Sequence, residues 1–349
     1  AASSEAGLYD ALGAIEIDFE VLPHFVTEEQ RDEAPKENAG DAQTTGNPEQ
    51  ALAEADTVME GYYGIARIAH CCLESHGQVC EWQDDQHLTA WCSTQNVSGL
   101  PPQFAEALNI PVANVRVITH FMGGGFGSKL YLYAEEVITA MVAKQLGRPV
   151  KWIEQRTEAY LATTHGRDHV SDVEIMGAKD GTITGLRATT YANMGAYLST
   201  FAPLIPTYLY GLVFVGPYSF PNVKCKVIAP FTNTTPVDAY RGAGRPEATY
   251  LVERMVDLFS TEIGMDPAEV RRKNFLGKGE TWITPQGTVY DSIDYEAPLE
   301  KALELFDYEG FRKEQEEARK EGRYLGVGFS TYVEICGMGP SAALPAGVG

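Results

Sequence analysis

The sequence of 349 residues lacks several features that would indicate common classes of protein. It has no run of 18 apolar residues, so no transmembrane helix is predicted. Basic residues are few, 27 against 48 acidic ones, and the net charge of −21 argues against a nucleic acid or an anionic membrane surface as partner. The first basic residue is Arg31, so the sequence does not begin with a standard secretory signal peptide.

Cysteine is also scarce, and its spacing does not match the usual metal motifs. None of the six cysteines forms a CxxC pair; they are Cys71, Cys72, Cys80, Cys92, Cys225 and Cys336. Iron–sulfur clusters and structural zinc sites need repeated short cysteine spacings. We therefore expect mainly buried, reduced thiols and a cytoplasmic protein. His70, Glu74 and His76 are interpreted as polar residues at a strand end that satisfy backbone groups, since no further ligand follows at a metal-binding spacing.

A strand, a glycine turn and a helix are predicted in residues 115–146. Glycines 123–125, Phe126 and Gly127 form the turn, and the helix is expected from near Leu130 to Leu146. Such glycines allow positive φ and bring backbone N–H groups close to a ligand, and a helix N-terminus favours anionic groups. The order Ser128-Lys129 fails the phosphate-loop motif and the dinucleotide motif. A ligand cradle and a simple tight turn both remain open at this point.

The order of elements predicts a mixed α/β fold of the α+β type. Strands are expected at 14–22, 57–68, 77–82, 88–93, 151–154, 169–176, 182–192, 223–230 and 323–334, and helices at 103–108, after 245, at 266–274 and in 296–322. Residues 27–50 are polar and are predicted to form a connecting loop. Residues 1–50 are therefore expected to be the end of one domain and a linker, and residues 51–349 part of a second domain.

A second glycine turn and three shorter motifs occur in an order that resembles one family. The motifs are Ser93-Thr94-Gln95, GGGFGSK at 123–129, GAY at 195–197, AYRGAGRPE at 239–247 and EVRRKNF at 269–275. Together they resemble the molybdopterin-binding large subunit of the xanthine oxidase family of molybdenum hydroxylases. The resemblance implies the tail of an α/β hammerhead domain followed by the first half of the molybdenum-cofactor-binding domain.

The resemblance also implies a cofactor and the residues around it. The cofactor would be molybdopterin carrying molybdenum, with a cytosine dinucleotide form as one option. The pterin dithiolene would hold the metal, so no side chain is expected as a direct ligand. By motif, the Gln95 amide would hydrogen-bond an oxygen ligand of molybdenum, the backbone of Gly125, Phe126 and Gly127 would approach the same region, and Arg241 with Gly242 would lie beside the metal.

Three departures from the family motifs bear on the substrate. Purine hydroxylases of the family carry a glutamate where this chain has Leu130 and a phenylalanine where it has Ala243. Copper-containing carbon monoxide dehydrogenases carry a cysteine where it has Gly242. The resemblance therefore implies an aldehyde or an N-heteroaromatic substrate. Leu130, Ala243 and Leu209, the last within the apolar residues 198–221, are expected to line the substrate pocket.

The family's catalytic base is a glutamate in a Gly-x-Gly-Glu motif, and this chain is expected to stop before it. Glu280 in Gly277-Lys278-Gly279-Glu280 is rejected as that base because it follows the EVRRKNF helix in a polar loop. No catalytic residue is therefore assigned here, and either a fragment or a subunit divided over two molybdenum-subunit chains is expected.

Electrons would pass to an iron–sulfur subunit and a flavin (FAD) subunit in a dimer of heteromers. The alternatives are a nucleotide-binding enzyme, a non-catalytic scaffold homologue, and a carbon monoxide dehydrogenase without the usual cysteine.

Overall fold

The computed structural model describes residues 4–26, 30, 33, 36–37, 43–279, 281–283, 288–290 and 293–335. Helices and strands both occur along this part of the chain, which confirms the predicted mixed α/β fold. The helices are α1 (Glu5–Gly13), α2 (Pro48–Glu54), α3 (Leu100–Leu108), α4 (Ala134–Leu146), α5 (Arg156–Ala162), α6 (Tyr210–Leu212), α7 (Arg245–Glu262), α8 (Pro267–Asn274), α9 (Glu296–Phe306) and α10 (Tyr308–Lys320). The strands are β1 (Lys36–Glu37), β2 (Gln43–Thr45), β3 (Thr57–Ile65), β4 (Gly77–Trp82), β5 (Leu88–Cys92), β6 (Val115–Ile118), β7 (Val150–Ile153), β8 (His169–Gly177), β9 (Ile183–Ala192), β10 (Val223–Pro230), β11 (Trp282–Ile283) and β12 (Val289–Tyr290).

The larger sheet has six strands in the order β1-β10-β9-β8-β3, with β2 also paired to β10. β8 and β9 form the predicted antiparallel hairpin, and Gly181 in its turn has a φ of +90°. One face of the sheet is covered by α7, which presents Leu251, Met255 and Phe259 at i, i+4 and i+8. Each of these side chains is almost fully buried, and burial of such a side chain contributes about 1.5–3 kcal/mol.

The smaller sheet has four strands in the order β6-β5-β4-β7, and it positions two loops side by side. Helices α3 and α4 cover one face and bury Leu100, Phe104 and Ala140 against Cys80 and Ala90. β5 and β6 are adjacent and parallel, so their carboxyl ends lie at the same edge of the sheet. The Ser-Thr-Gln motif follows β5 and the GGGFGSK motif follows β6, which brings these two motifs together.

Two predicted strands are wrong because a strand needs a neighbour to pair with. Residues 14–26 form no strand and are mostly exposed; Val21, for example, is 79% exposed. Residues 323–335 are extended but pair with no strand among the residues that the structure describes. They are held through side chains instead, as when Thr331 N donates to Glu253 Oε2 at 2.8 Å. The alternation of apolar and polar residues in the sequence therefore predicted a strand at both positions where none forms.

Three helix predictions need smaller corrections. The helix expected near Leu130 begins at Ala134, because the preceding backbone makes hydrogen bonds outside the helix; Leu132 N, for example, donates to Gln103 Oε1 on α3. The predicted loop 27–50 contains the start of α2, whose N-cap side chain is Asn47. The region 296–322 is two helices, separated at Asp307, which has a φ of +53°.

Several predictions lie outside these observations. Glu280 and Cys336 fall outside the described residues, and the proposed domain boundary near residue 50 stays a prediction. The described helices include none with the length and apolarity needed to span a membrane. Among the described cysteines, four are buried and Cys71 is exposed, and all five are free thiols.

Candidate functional site

Gln95 is held against the first glycine turn by its carbonyl oxygen. Gln95 Oε1 accepts a hydrogen bond from Gly127 N at 2.9 Å and a longer one from Lys129 N at 3.4 Å. Since a backbone N–H can only donate, these contacts fix which end of the amide is oxygen. The Nε2 group is therefore the end of the amide that is not bonded to the turn, and it has no acceptor among the residues that the structure describes. Gln95 thus takes the Gly127 N–H, and the role of the Gly127 backbone beside a cofactor stays a prediction.

Two glycines of this turn are required by close approach. A Cβ at Gly125 would overlap the Gln95 side-chain oxygen, and one at Gly127 would overlap the Ala239 carbonyl oxygen. Gly127 also has a φ of +117°, which L side chains rarely adopt. Phe126 between them has a φ of +52° and is 41% exposed. A non-glycine residue in this conformation is strained, and such strain is often found at functional sites.

The second glycine turn is bonded directly to the first. Arg241 N donates to Phe126 O at 2.9 Å. Gly242 and Gly244 have positive φ, as does Ala243 at +47°, and Gly244 is the N-cap of α7. The structure thus brings Gln95, Gly125, Phe126, Gly127 and Arg241 together, with Gly242 and Ala243 next to them, and their roles beside a cofactor stay predictions.

The two leucines predicted to contact substrate occupy different positions. Leu130 is half-buried, and its carbonyl accepts from Asn96 Nδ2 at 3.2 Å, just after the first turn. Leu209 packs against the core of the larger sheet, in the helical turn Ile205–Leu209 that contacts the second glycine turn. Their role in substrate contact stays a prediction.

The joined turns carry three different kinds of hydrogen-bond donor. Within the described ranges, Gln95 Nε2 and Phe126 N–H have no acceptor, and the exposed Arg241 guanidinium has no ion-pair partner. An amide, a backbone N–H and a guanidinium suit an anionic, oxygen-rich group. The described residues contain no group of three His, Cys, Asp or Glu side chains that could bind a bare metal ion. This donor set therefore fits a metal that arrives with its own ligands, as it does in molybdopterin.

Arg167 is a residue of the site that no motif indicated. Its guanidinium donates to the Arg241 carbonyl at 2.7 Å and to Glu247 Oε2 at 2.9 Å, and it lies over the Tyr240 ring. Arg167 lies 74 residues before Arg241 in the sequence, and no motif near Arg167 indicates that the two residues are in contact. Its φ of +69° is unusual, yet it is visible only in the structure.

His70 lies next to both glycine turns, since it bonds to Ala239 and is close to Gly127. His70 Nε2 donates to the Ala239 carbonyl at 2.8 Å, and its ring packs against the Tyr240 ring in a tilted arrangement, with 4.7 Å between the ring centroids. His76 lies between Glu154 and the Ser128 carbonyl. These contacts confirm that the two histidines satisfy backbone groups. Burial lowers the pKa of His70 to about 4, so the ring is neutral at pH 7.

The buried His70 should make the stability of the fold depend on pH. The unfolded chain binds a proton at this residue near pH 6.5, whereas the folded chain does so only near pH 4. Acidification between these values therefore favours unfolding, by up to roughly 3 kcal/mol. We expect His70→Gln, which keeps a donor for Ala239, to lose less stability than the wild type between pH 7 and pH 5 in urea unfolding. The exposed His87→Gln is the control, and equal losses in all three proteins would contradict the assignment.

Known proteins show similarity along most of the chain. Residues 30–275 match the profile of the molybdopterin cofactor-binding domain. The carbon monoxide dehydrogenase large chain of Hydrogenophaga pseudoflava is 35% identical over 311 residues, which is 87% of this chain and 38% of that protein. Subunit gamma of the 6-hydroxypseudooxynicotine dehydrogenase complex of Paenarthrobacter nicotinovorans is 32% identical, over 95% of this chain and 43% of that protein.

A solved structure agrees with these sequence relatives. Quinoline 2-oxidoreductase from Pseudomonas putida 86 superposes with a TM-score of 0.85 at 28% identity, over 92% of this chain and 42% of that chain. The chain thus spans less than half the length of the relatives that it matches. The joined glycine turns, the matched profile and these relatives lead to one conclusion: the chain belongs to the molybdopterin-binding large subunits of the xanthine oxidase family, of the carbon-monoxide-dehydrogenase-like type.

Proposed function

We propose that the chain forms one wall of the active site of a molybdenum-dependent hydroxylase. The enzyme oxidises an aldehyde or an N-heteroaromatic carbon and takes the added oxygen from water. The proposal is supported by three donors of the joined turns that have no acceptor or ion-pair partner among the described residues: Gln95 Nε2, the Phe126 N–H and the exposed Arg241 guanidinium. When bound, molybdopterin supplies the two-electron redox chemistry. The chain's own residues orient the cofactor and stabilise negative charge beside it.

We also propose partner subunits and a cellular location for the enzyme. Electrons leave to an iron–sulfur subunit and a flavin subunit, since the cysteine spacings of this chain suit no cluster. The chain spans less than half the length of these relatives, and we assign no catalytic base among its residues. The complex is a cytoplasmic dimer of heteromers, and the cofactor is molybdopterin or its cytosine dinucleotide form.

The second turn favours these substrates over carbon monoxide. A Cβ at Gly242 would overlap the Pro246 ring, and Gly242 has a φ of +98°. A cysteine side chain in that position would require the turn to change shape. Quinoline 2-oxidoreductase and the 6-hydroxypseudooxynicotine dehydrogenase complex carry N-heterocyclic compounds in their names, and their similarity to this chain supports an N-heteroaromatic substrate.

The reaction can be tested on the enzyme purified with its natural partners. Quinoline, benzaldehyde and carbon monoxide are each supplied with an artificial electron acceptor in water enriched in oxygen-18. We expect oxidation of an N-heteroaromatic or aldehyde substrate, with the label in the product. Oxidation of carbon monoxide alone, or no oxidation by molybdenum-containing complex across a panel of both substrate classes, would refute the proposal.

Arg241 provides a test of the charge-stabilising role. The side chain is exposed and lacks an ion-pair partner in the described part of the chain, so its removal should cost little stability. We expect Arg241→Met to lower kcat/KM about a hundredfold, a typical effect of losing one charge-stabilising donor. Arg116→Met, which removes an exposed arginine on β6, is the matched control and should keep full activity. Wild-type kinetics in Arg241→Met would favour a scaffold without catalytic function.

A further inference from the structure

Lys129 is a fully buried cation beneath the first glycine turn. Its side chain is 0% exposed, although lysine is almost never fully buried unless it is paired. Lys129 Nζ contacts Glu74 Oε2 at 3.0 Å, the Glu74 carbonyl at 2.9 Å and Ser93 Oγ at 2.8 Å. All three donors of the ammonium group are therefore used inside the protein, and none is left for a ligand.

The backbone of Lys129 contacts the rest of the Ser-Thr-Gln motif. The Lys129 carbonyl accepts from Gln95 N at 2.9 Å and from Thr94 Oγ1 at 3.0 Å. Lys129 N lies 3.4 Å from Gln95 Oε1. One residue thus contacts Ser93, Thr94 and Gln95 through its side chain, its carbonyl and its N–H, so its position determines where Gln95 lies.

Glu74 connects the same cluster to the beginning of the glycine turn. Glu74 Oε2 accepts from Gly123 N at 2.7 Å and from Ser93 Oγ at 2.7 Å, and Glu74 N donates to the Gly123 carbonyl at 3.2 Å. Partial burial raises the pKa of Glu74, but hydrogen bonds from Ser93, Gly123 and Lys129 outweigh it and lower that pKa. The carboxylate is therefore charged at pH 7 and can pair with the ammonium group.

We propose that Lys129, Glu74 and Ser93, here named the Lys129 clamp, are positioning residues that fix the direction of the Gln95 amide toward the cofactor. This inference rests on the proposed function. Gln95 is itself exposed, and its Nε2 group, which has no acceptor among the described residues, keeps a fixed orientation while the Gln95 oxygen stays on Gly127. The clamp holds both ends of this arrangement, because Lys129 and Glu74 contact the glycine turn as well as the Ser-Thr-Gln motif.

The clamp can be tested with Lys129→Met in the complete, molybdenum-containing complex. Methionine keeps much of the side-chain length and removes the charge, and Glu74 is 42% exposed, so water can solvate the carboxylate that remains. We expect kcat to fall about ten- to a hundredfold with KM nearly unchanged, since small displacements of a positioned group have effects of this size. We also expect a changed Mo(V) electron paramagnetic resonance spectrum at near-normal molybdenum content. Lys179→Met, at an exposed hairpin turn, is the matched control.

The outcomes separate positioning from simple structural support. A wild-type spectrum and kcat in Lys129→Met would overturn the inference. The inference would also be overturned if the molybdenum content, the melting temperature and the activity of Lys129→Met all fell in proportion. Should Lys129→Met fail to fold, Ser93→Ala removes the two contacts of Ser93 Oγ, with Lys129 Nζ at 2.8 Å and with Glu74 Oε2 at 2.7 Å, and leaves the Lys129–Glu74 pair in place. It should change the spectrum in the same direction, and an unchanged spectrum would again overturn the inference. If the wild-type complex oxidises no tested substrate, the proposed function fails, whereas the spectra still test the clamp.

Discussion

Gly127→Ala is expected to abolish retention of the molybdenum cofactor. The new Cβ would overlap the Ala239 carbonyl oxygen, a backbone atom that cannot rotate away. The φ of +117° adds a conformational cost of roughly 1–2 kcal/mol for an L side chain. To relieve the overlap, the two glycine turns must separate, and separation breaks the bond between Arg241 N and Phe126 O. Every 1.4 kcal/mol lost from the bound state lowers affinity tenfold, so loss of most of the cofactor is expected.

A control substitution at another glycine distinguishes the effect of the steric overlap from the effect of the positive φ. Gly147 ends α4 with a φ of +58°, and nothing lies within 4 Å of a Cβ placed there. Gly147→Ala should therefore lose some stability but keep its molybdenum, measured by mass spectrometry of the metal in purified complex. Equal molybdenum content in Gly127→Ala and Gly147→Ala would show that the approach of the two turns does not matter for the cofactor.

Gln95→Glu is expected to leave the fold intact and remove most of the activity. A glutamate keeps an oxygen for Gly127 N–H, so the turn should remain anchored. It replaces the free Nε2 donor with an acceptor and adds a negative charge beside an anionic cofactor. Loss of one such donor typically lowers kcat by about 10²–10³. The expected result is a melting temperature within a few degrees of the wild type, with kcat reduced by that factor.

The exposed Gln86 offers the matched control for this substitution. Gln86→Glu makes the same chemical change in a turn between β4 and β5, outside the joined glycine turns. It should keep wild-type kcat. If Gln95→Glu also kept wild-type kcat, the amide would serve only to anchor the turn, and the chain would fit a scaffold better than a catalytic wall.

Local patterns predicted the elements whose partners are also local. The β8–β9 hairpin has its turn glycine, Gly181, between two alternating runs, and α7 carries an apolar face with Pro246 in its first turn. The expected strands at 14–22 and 323–334 show the same alternation, but pairing depends on a neighbouring strand that the local sequence does not reveal. Alternation thus shows which face is apolar, and it does not show whether a partner strand is present.

The candidate site was predictable where the chemistry lies in short motifs. Gln95, Phe126 and Arg241 stand in recognisable motifs, and the structure joins them. Lys129 and Arg167 were missed as supports because their partners are distant in sequence, and a lone lysine or arginine is usually exposed. Gly127 must be glycine because the Ala239 carbonyl lies close to its Cα, and the sequence alone does not reveal the position of Ala239. The supporting contacts of such a site therefore depend on tertiary structure.

We infer that the two joined glycine turns hold a molybdenum cofactor. The most direct measurement is the metal and pterin content of the complex purified with its natural partners, compared between the wild type and Gly127→Ala. We expect about one molybdenum and one molybdopterin per copy of the wild-type chain, and almost none in Gly127→Ala. Correctly assembled wild-type complex without molybdenum, or full molybdenum in Gly127→Ala, would contradict it.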